Sequence, residues 1–233
     1  MKPMSATEDF ALYLRPTYFV DSDSKAVKEF TAAAAGEGTV LDKARRVFLA
    51  VRDGIRYDPY VADFEPSSFK ASTTLERKVG YCVPKAIVLT ACYRSLGLPT
   101  RLGFADVTNH LATKRLLELL GTAVFAYHGF AEVWLNGKWL KATPTFNQTL
   151  CEKFGVDPLV FDGEHDAVFL PFDRAGNKHM EYLRDRGRHA DFDLNEMHRV
   201  WKEFYPRLFE LGFYPEQPPG GFEAEAAAER KTP

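Results

Sequence analysis

Apolar residues crowd one stretch of the chain so densely that they leave no polar face. Ala86, Ile87, Val88, Leu89, Ala91, Cys92, Tyr93 and Leu96 point to nearly every side of a helical wheel, and a helix apolar all round belongs in a protein interior. Gly97 and Pro99 mark its end, as a C-terminal glycine and a following proline do. At its start, Pro84 suits a first turn, where its missing N–H has no partner to lose. Gly80 reads as the sharp turn that leads in. Before this helix the pattern predicts two others. One runs over residues 26–35, capped within 21–23 and ended by Gly36 and Gly38. The second starts at Thr39 or Asp42, carries Ala44, Val47, Phe48 and Val51 on one face, and stops at Gly54. Residues 1–20 read as an irregular lead-in, 55–59 as extended, 60–72 as loop and 73–77 as a short helical turn.

After the central helix, residues 100–107 read as a strand and 114–120 as a helix closed by Gly121. Asn136-Gly137 between aromatic and β-branched runs, 122–135 and 138–143, is the strongest short-range hairpin signal in the chain. With a two-residue loop, Leu135 pairs with Lys138. Continuing outward, Phe130 faces Thr143 and His128 faces Thr145, and opposed residues share a face. Residues 166–172 and 179–183 also read as strands. The stretch 194–211 is an amphipathic helix with Met197, Val200, Trp201, Phe204 and Leu208 inward. From 215 onward no core-forming pattern is visible, and the expectation is one domain over 1–214 with a loosely ordered tail over 215–233.

This layout gives candidate chemistry to two residues. Cys82 stands at the N-terminus of a buried helix, where unpaired N–H groups and the helix dipole favour an anion and push a thiol towards thiolate. A nucleophilic cysteine needs a base, and the base needs a third group to fix its tautomer. His128, on a strand packed against that helix, fills the first role. Thr143, diagonal to it, or Asn147 just past the strand end, fills the second. Cys92 lies on a different face of the helix and reads as core, and Cys151 has no evident partner. His165-Asp166 and the trio His179, His189 and His198 fit no metal-ligand spacing. Asn109-His110 reads as a cap for the following helix.

Arg56-Tyr57-Asp58, Gly80-Tyr81-Cys82, Leu96-Gly97-Leu98-Pro99-Thr100-Arg101, His128-Gly129-Phe130-Ala131-Glu132-Val133-Trp134 and Lys138-Trp139 together resemble the transglutaminase-like superfamily over roughly residues 40–147. The resemblance implies an α+β fold with a papain-like core, an antiparallel sheet packed on the helix that carries Cys82. It also implies a Cys-His-Asp site with Cys82 as nucleophile and His128 as general base and acid. The oxyanion is expected at the Cys82 backbone N–H and a second donor, for which Tyr81 and Tyr57 are candidates. One departure is plain: where the family has Asp-Pro-Thr, this chain has Thr143-Pro144-Thr145. A threonine hydroxyl accepts the imidazole N–H but brings no charge. Asn147 and Asp106 are the other residues open for that place.

Composition narrows the partners. Of 233 residues 45% are hydrophobic and 27% charged, with 30 basic against 32 acidic side chains and no basic stripe, so nucleic acid and anionic membrane are not expected partners. No apolar run reaches bilayer-spanning length, and the first residues lack a signal-peptide pattern. Three dispersed cysteines form neither a disulfide framework nor a metal set, which fits a reducing cytoplasm. The expectation is a cytoplasmic, cofactor-free and metal-free cysteine enzyme acting on a peptide or small amide. Hydrolysis ranks above transfer to an amine. A non-catalytic fold that binds a peptide or protein is the alternative, motivated by the missing aspartate.

Overall fold

The sequence's apolar run becomes helix α4, Cys82–Ser95, in which every residue from Val83 to Arg94 is buried. The protein, described by a computed structural model over residues 10–213 and 218–229, is built around it. On one side pack α1 (Lys25–Ala35), α2 (Val40–Gly54) and α3 (Ala71–Arg77). On the other lies a four-stranded antiparallel sheet made of β3 (Thr100–Asn109), β4 (Val124–Leu135), β5 (Lys138–Ala142) and β6 (Met180–His189), in the order β5-β4-β3-β6. Two further strands of two residues each, β1 (Arg56–Tyr57) and β2 (Val79–Gly80), pair in parallel beside the start of α4.

Local chemistry explains the boundaries. Thr39 caps α2 through a reciprocal pair with Asp42, which decides the start that the sequence left open between them. Two buried basic side chains hold the ends of α4. Lys85 donates to the carbonyls of Arg52 (2.7 Å) and Ile55 (2.5 Å), closing the C-terminus of α2. Arg94 donates to the carbonyls of Thr100, Arg15 and Ala190. Gly80 is not left-handed; a Cβ there would lie 3.3 Å from both Pro84 and Thr74, so space rather than turning requires glycine.

The Asn136-Gly137 hairpin has the expected register, Leu135 opposite Lys138 and onward to Ala131 opposite Ala142. Three expectations need correction. Residues 166–172 are not a strand; they make only isolated bridges, Ala142 with Ala167 and Phe172 with Lys178, and the fourth strand of the sheet is β6. The helix expected over 194–211 is two, α7 (Leu194–Phe204) and α8 (Pro206–Glu210), because Pro206 has no N–H to continue the first. The tail expected to be loose contains α9, Gly221–Glu229. Phe222 of α9 is fully buried against Tyr57, Tyr60 and Phe154, with Tyr60 donating to Glu225 and Lys153 to Glu223. Residues 215–217 and 230–233 of that stretch lie outside the described residues, as do 1–9 of the lead-in. A short helix, α5 (Lys114–Leu120), falls where expected, and another, α6 (Gln148–Phe154), follows the hairpin.

Candidate active site

Four segments meet at the head of α4. The β1–β2 pair sets Tyr57 beside Gly80, and the Asp58 N–H donates to the Gly80 carbonyl, so Tyr57 and Pro59 run alongside Tyr81 and Cys82. Asn147 Oδ1 accepts the Tyr57 N–H at 3.0 Å and fixes the same segment from its other side. Strand β4 approaches from the sheet: a Cβ on Gly129 would come within 3.0 Å of the Val83 Cα, so only glycine lets the strand lie this close. Helix α7 closes the top. There the β4–β5 pairing, which ends at Ala131, no longer extends, and Trp201 of α7 and Tyr205 just after it bond the β4 backbone with their side chains. The Trp201 indole N–H donates to the Ala126 carbonyl (3.2 Å), the Tyr205 hydroxyl accepts the Ala126 N–H (2.6 Å), and it donates to the Val124 carbonyl (3.1 Å).

Between these segments is a cavity of about 30 Å³ that Cys82 and His128 line together. No side chain caps α4, since Tyr81 stands at the cap position. The first-turn N–H groups are thus left without a side-chain acceptor. The Cys82 sulfur fills that gap, faced by the N–H groups of Gly129, Val83 and Cys82 itself. Burial nevertheless dominates and pushes the thiol up to about 11, with those N–H groups pulling the other way. Cys82 as a whole is half-buried, but around its sulfur the expected drift towards thiolate is reversed, because desolvation of a full charge outweighs a few dipoles.

His128 is set by a bulge. Between the pairs Ala105–His128 and Val107–Phe125 the register shifts, and Tyr127 takes a left-handed φ of 64°. A bulge of this kind re-aims the neighbouring side chain. Asp106 holds it, accepting the Tyr127 N–H (3.0 Å) and two bonds from Arg186. The His128 Nε2 lies 3.4 Å from Thr145 Oγ1, while Nδ1 is buried with no hydrogen-bond partner. Burial pushes the imidazole down to about 4, with its own backbone carbonyl opposing. When Nε2–H donates to Thr145, Nδ1 carries the free lone pair.

The family model of the transglutaminase-like superfamily matches residues 27–144, a little over half of the chain. The chain belongs to that superfamily. Among solved structures it is similar to a candidate cysteine protease from Cytophaga hutchinsonii (TM-score 0.47, 16% identity, 83% of this chain and 60% of that one). It is also similar to the arylamine N-acetyltransferase of Mycobacterium abscessus (0.40, 17%, 57% and 46%) and to a TGase (0.38, 18%, 62% and 35%). The chain spans less than two thirds of each of these structures. No curated protein matches it. Helix α7 and the segment from Thr145 onward lie beyond the superfamily match.

The fold brings some of the expected residues together and separates others. Cys82 and His128 share the cavity, although no hydrogen bond joins them. Catalytic hydrogen bonds are often long before substrate binds. Thr143 does not stand opposite Phe130: the ladder ends at Ala142, the Thr143 N–H donates to the Ala167 carbonyl, and its buried hydroxyl faces the Tyr182 phenol rather than His128. Asn147 is taken up by Tyr57 and Thr149, and Asp106 by the bulge, so neither reaches His128. Thr145 is the one that does, a residue the hairpin arithmetic had placed opposite His128 without making it a candidate. The Gly129 N–H at the sulfur carried no signal in the sequence beyond the glycine itself. Asn109 accepts the Leu111 N–H and stabilises a turn, while the cap of α5 is Thr113. Among the described residues no group of three or more His, Cys, Asp or Glu side chains is arranged to hold a metal, and no helix is long and apolar enough to cross a membrane.

Proposed function

We propose that this chain is a cysteine-dependent acyl-transfer enzyme acting at an amide or ester carbonyl, with water as the preferred acceptor and no cofactor or metal. The observation that carries the reading is Cys82 at the uncapped head of a buried helix, sharing a cavity with an imidazole whose Nδ1 is free. Attack of sulfur on the carbonyl transfers the thiol proton to His128 Nδ1. The N–H groups at the helix head then face the charge that develops there. His128 returns the proton to the leaving group, and water repeats the sequence to release the acid. Thr145 orients the imidazole but adds no charge, so the pair starts neutral and proton transfer accompanies attack. Thr143 and Asn147 support the site through backbone position rather than contact with the imidazole. A small amide or peptide substrate in a reducing cytoplasm fits this chemistry.

One observation favours a second reading, a fold that binds without turnover. Burial holds the thiol at about 11 and the imidazole at about 4, and both are neutral near pH 7. Mass spectrometry after incubation with p-nitrophenyl acetate separates the two. Acyl transfer predicts one acetyl group on Cys82 and steady release of nitrophenol, both lost in Cys82→Ser. An unmodified Cys82 with no turnover leaves only the binding fold.

A further inference from the structure

The wall of the Cys82–His128 cavity is more specific than the acyl-transfer reading requires. None of the described residues that line it carries a charged side chain; apart from Cys82 and His128 the walls are apolar or aromatic, among them Leu120, Phe125, Trp201, Tyr205, Tyr57 and Pro59. At about 30 Å³ it has room for roughly two water-sized groups. The wall is also rigid. Trp201 and Tyr205 are bonded to the backbone of β4 at Val124 and Ala126, so moving either leaves buried strand groups without partners. Tyr57 is held by the β1–β2 pair and Asn147, and Pro59 follows Asp58, whose N–H donates to the Gly80 carbonyl. Trp201 of α7 and Tyr205 just after it lie outside the residues that match the superfamily.

Resting on the acyl-transfer reading, we infer that the enzyme takes a donor with a small uncharged acyl group of two or three carbons, and that Trp201 and Tyr205 set this limit by closing the space above the Cys82 sulfur. A charged acyl group would lose its hydration in a slot that offers no counter-charge. A longer one would have to displace a wall fastened to the sheet. With an ester donor, the Cys82 S–C bond forms as the C–O bond breaks, and the thiol proton leaves with the alcohol by way of His128. Water then cleaves the thioester to the carboxylic acid and restores the thiol.

The test compares the full chain with Trp201→Ala and Leu120→Ala on p-nitrophenyl acetate, butyrate and octanoate, each rate divided by the ester's hydroxide-catalysed rate. The wild-type protein should favour acetate over octanoate in kcat/KM by about 100-fold or more, since a filled apolar pocket discriminates steeply by size. Trp201→Ala should shrink that ratio at least tenfold. Leu120→Ala, which removes less of the wall and leaves the β4 bonds intact, should shrink it less and serves if Trp201→Ala fails to fold. Equal handling of acetate and octanoate by the wild type, or an unchanged ratio in both folded variants, overturns the size limit while acylation of Cys82 keeps the enzyme reading. If no ester acylates Cys82, both fall.

Discussion

Two cavities in this molecule are each lined by a cysteine and a histidine. The one at the head of α4 contains Cys82 and His128 in about 30 Å³. The other, of about 120 Å³, is lined by Cys151, His179, Thr143, Phe169 and neighbours. Phe169 touches both imidazoles, with ring centres 5.4 Å from His128 and 5.7 Å from His179. By residue type and volume the second is the better pocket. Its cysteine sits within α6 and donates to the Phe146 carbonyl at 3.8 Å, a partner that holds a thiol and repels a thiolate. Burial raises Cys151 to about 12, and the groups acting on it after burial are the charged side chains of Arg52, Asp53, Lys85 and Arg174. Cys82 instead has three backbone N–H groups at its sulfur. Chemistry follows the backbone dipoles around the nucleophile, not the size of the hole or the presence of an imidazole.

The largest effect is expected at the cysteines: Cys82→Ser should lower p-nitrophenyl acetate turnover by about 10³-fold or more, whereas Cys151→Ser should stay within about twofold. The reverse result would move the site to the other cavity. Next come the imidazoles. His128→Gln should cost about 10²- to 10⁴-fold in kcat, and His179→Gln little, measured on the same ester.

The third point is stability against pH. His128 titrates near 4 in the folded chain and near 6.5 when unfolded, so between those values only the unfolded chain takes up the proton. Stability from this group is complete above pH 6.5 and is lost as pH falls through 4, by up to about 3 kcal/mol. Urea midpoints measured from pH 7 to 4 should show that slope in the wild type and a flatter one in His128→Gln. Identical slopes would mean that the imidazole is not desolvated. Fourth, Thr145→Val should lower kcat about tenfold with KM little changed, and Thr145→Ser should restore it, as expected of a positioning hydroxyl. The smallest effect belongs to Thr143→Val: activity within about twofold and stability changed by about 1 kcal/mol or less in urea unfolding, because its hydroxyl faces Tyr182 and not the imidazole. A large loss of activity there would restore Thr143 to the place that the family motif gives it.

Much of this site was legible from the chain. Apolar crowding marked α4 as central, Pro84 and Gly97 framed it, and Asn136-Gly137 determined the hairpin register correctly to Ala142. Those are local signals, carried by residues a few positions apart. The third group at the imidazole was half legible. The register placed Thr145 opposite His128, but the family motif drew attention to Thr143, and only the exit of the chain from the ladder after Ala142 showed which hydroxyl stays. Asp106 looked like a spare acid and is the anchor of the bulge before His128, a role that depends on Arg186 from a distant strand. Helix α9 was missed because one aromatic residue, Phe222, secures it against groups far away in sequence.

The sequence by itself determined where a nucleophile could stand, because helix starts, strand alternation and turn chemistry are decided between near neighbours. The tertiary structure decided the state of that nucleophile. Desolvation sums over every atom packed around the sulfur, and Trp201 and Tyr205, more than a hundred positions along the chain, supply part of that packing. A helix head invites a thiolate, and the walls around it keep the proton in place until a substrate fits between them.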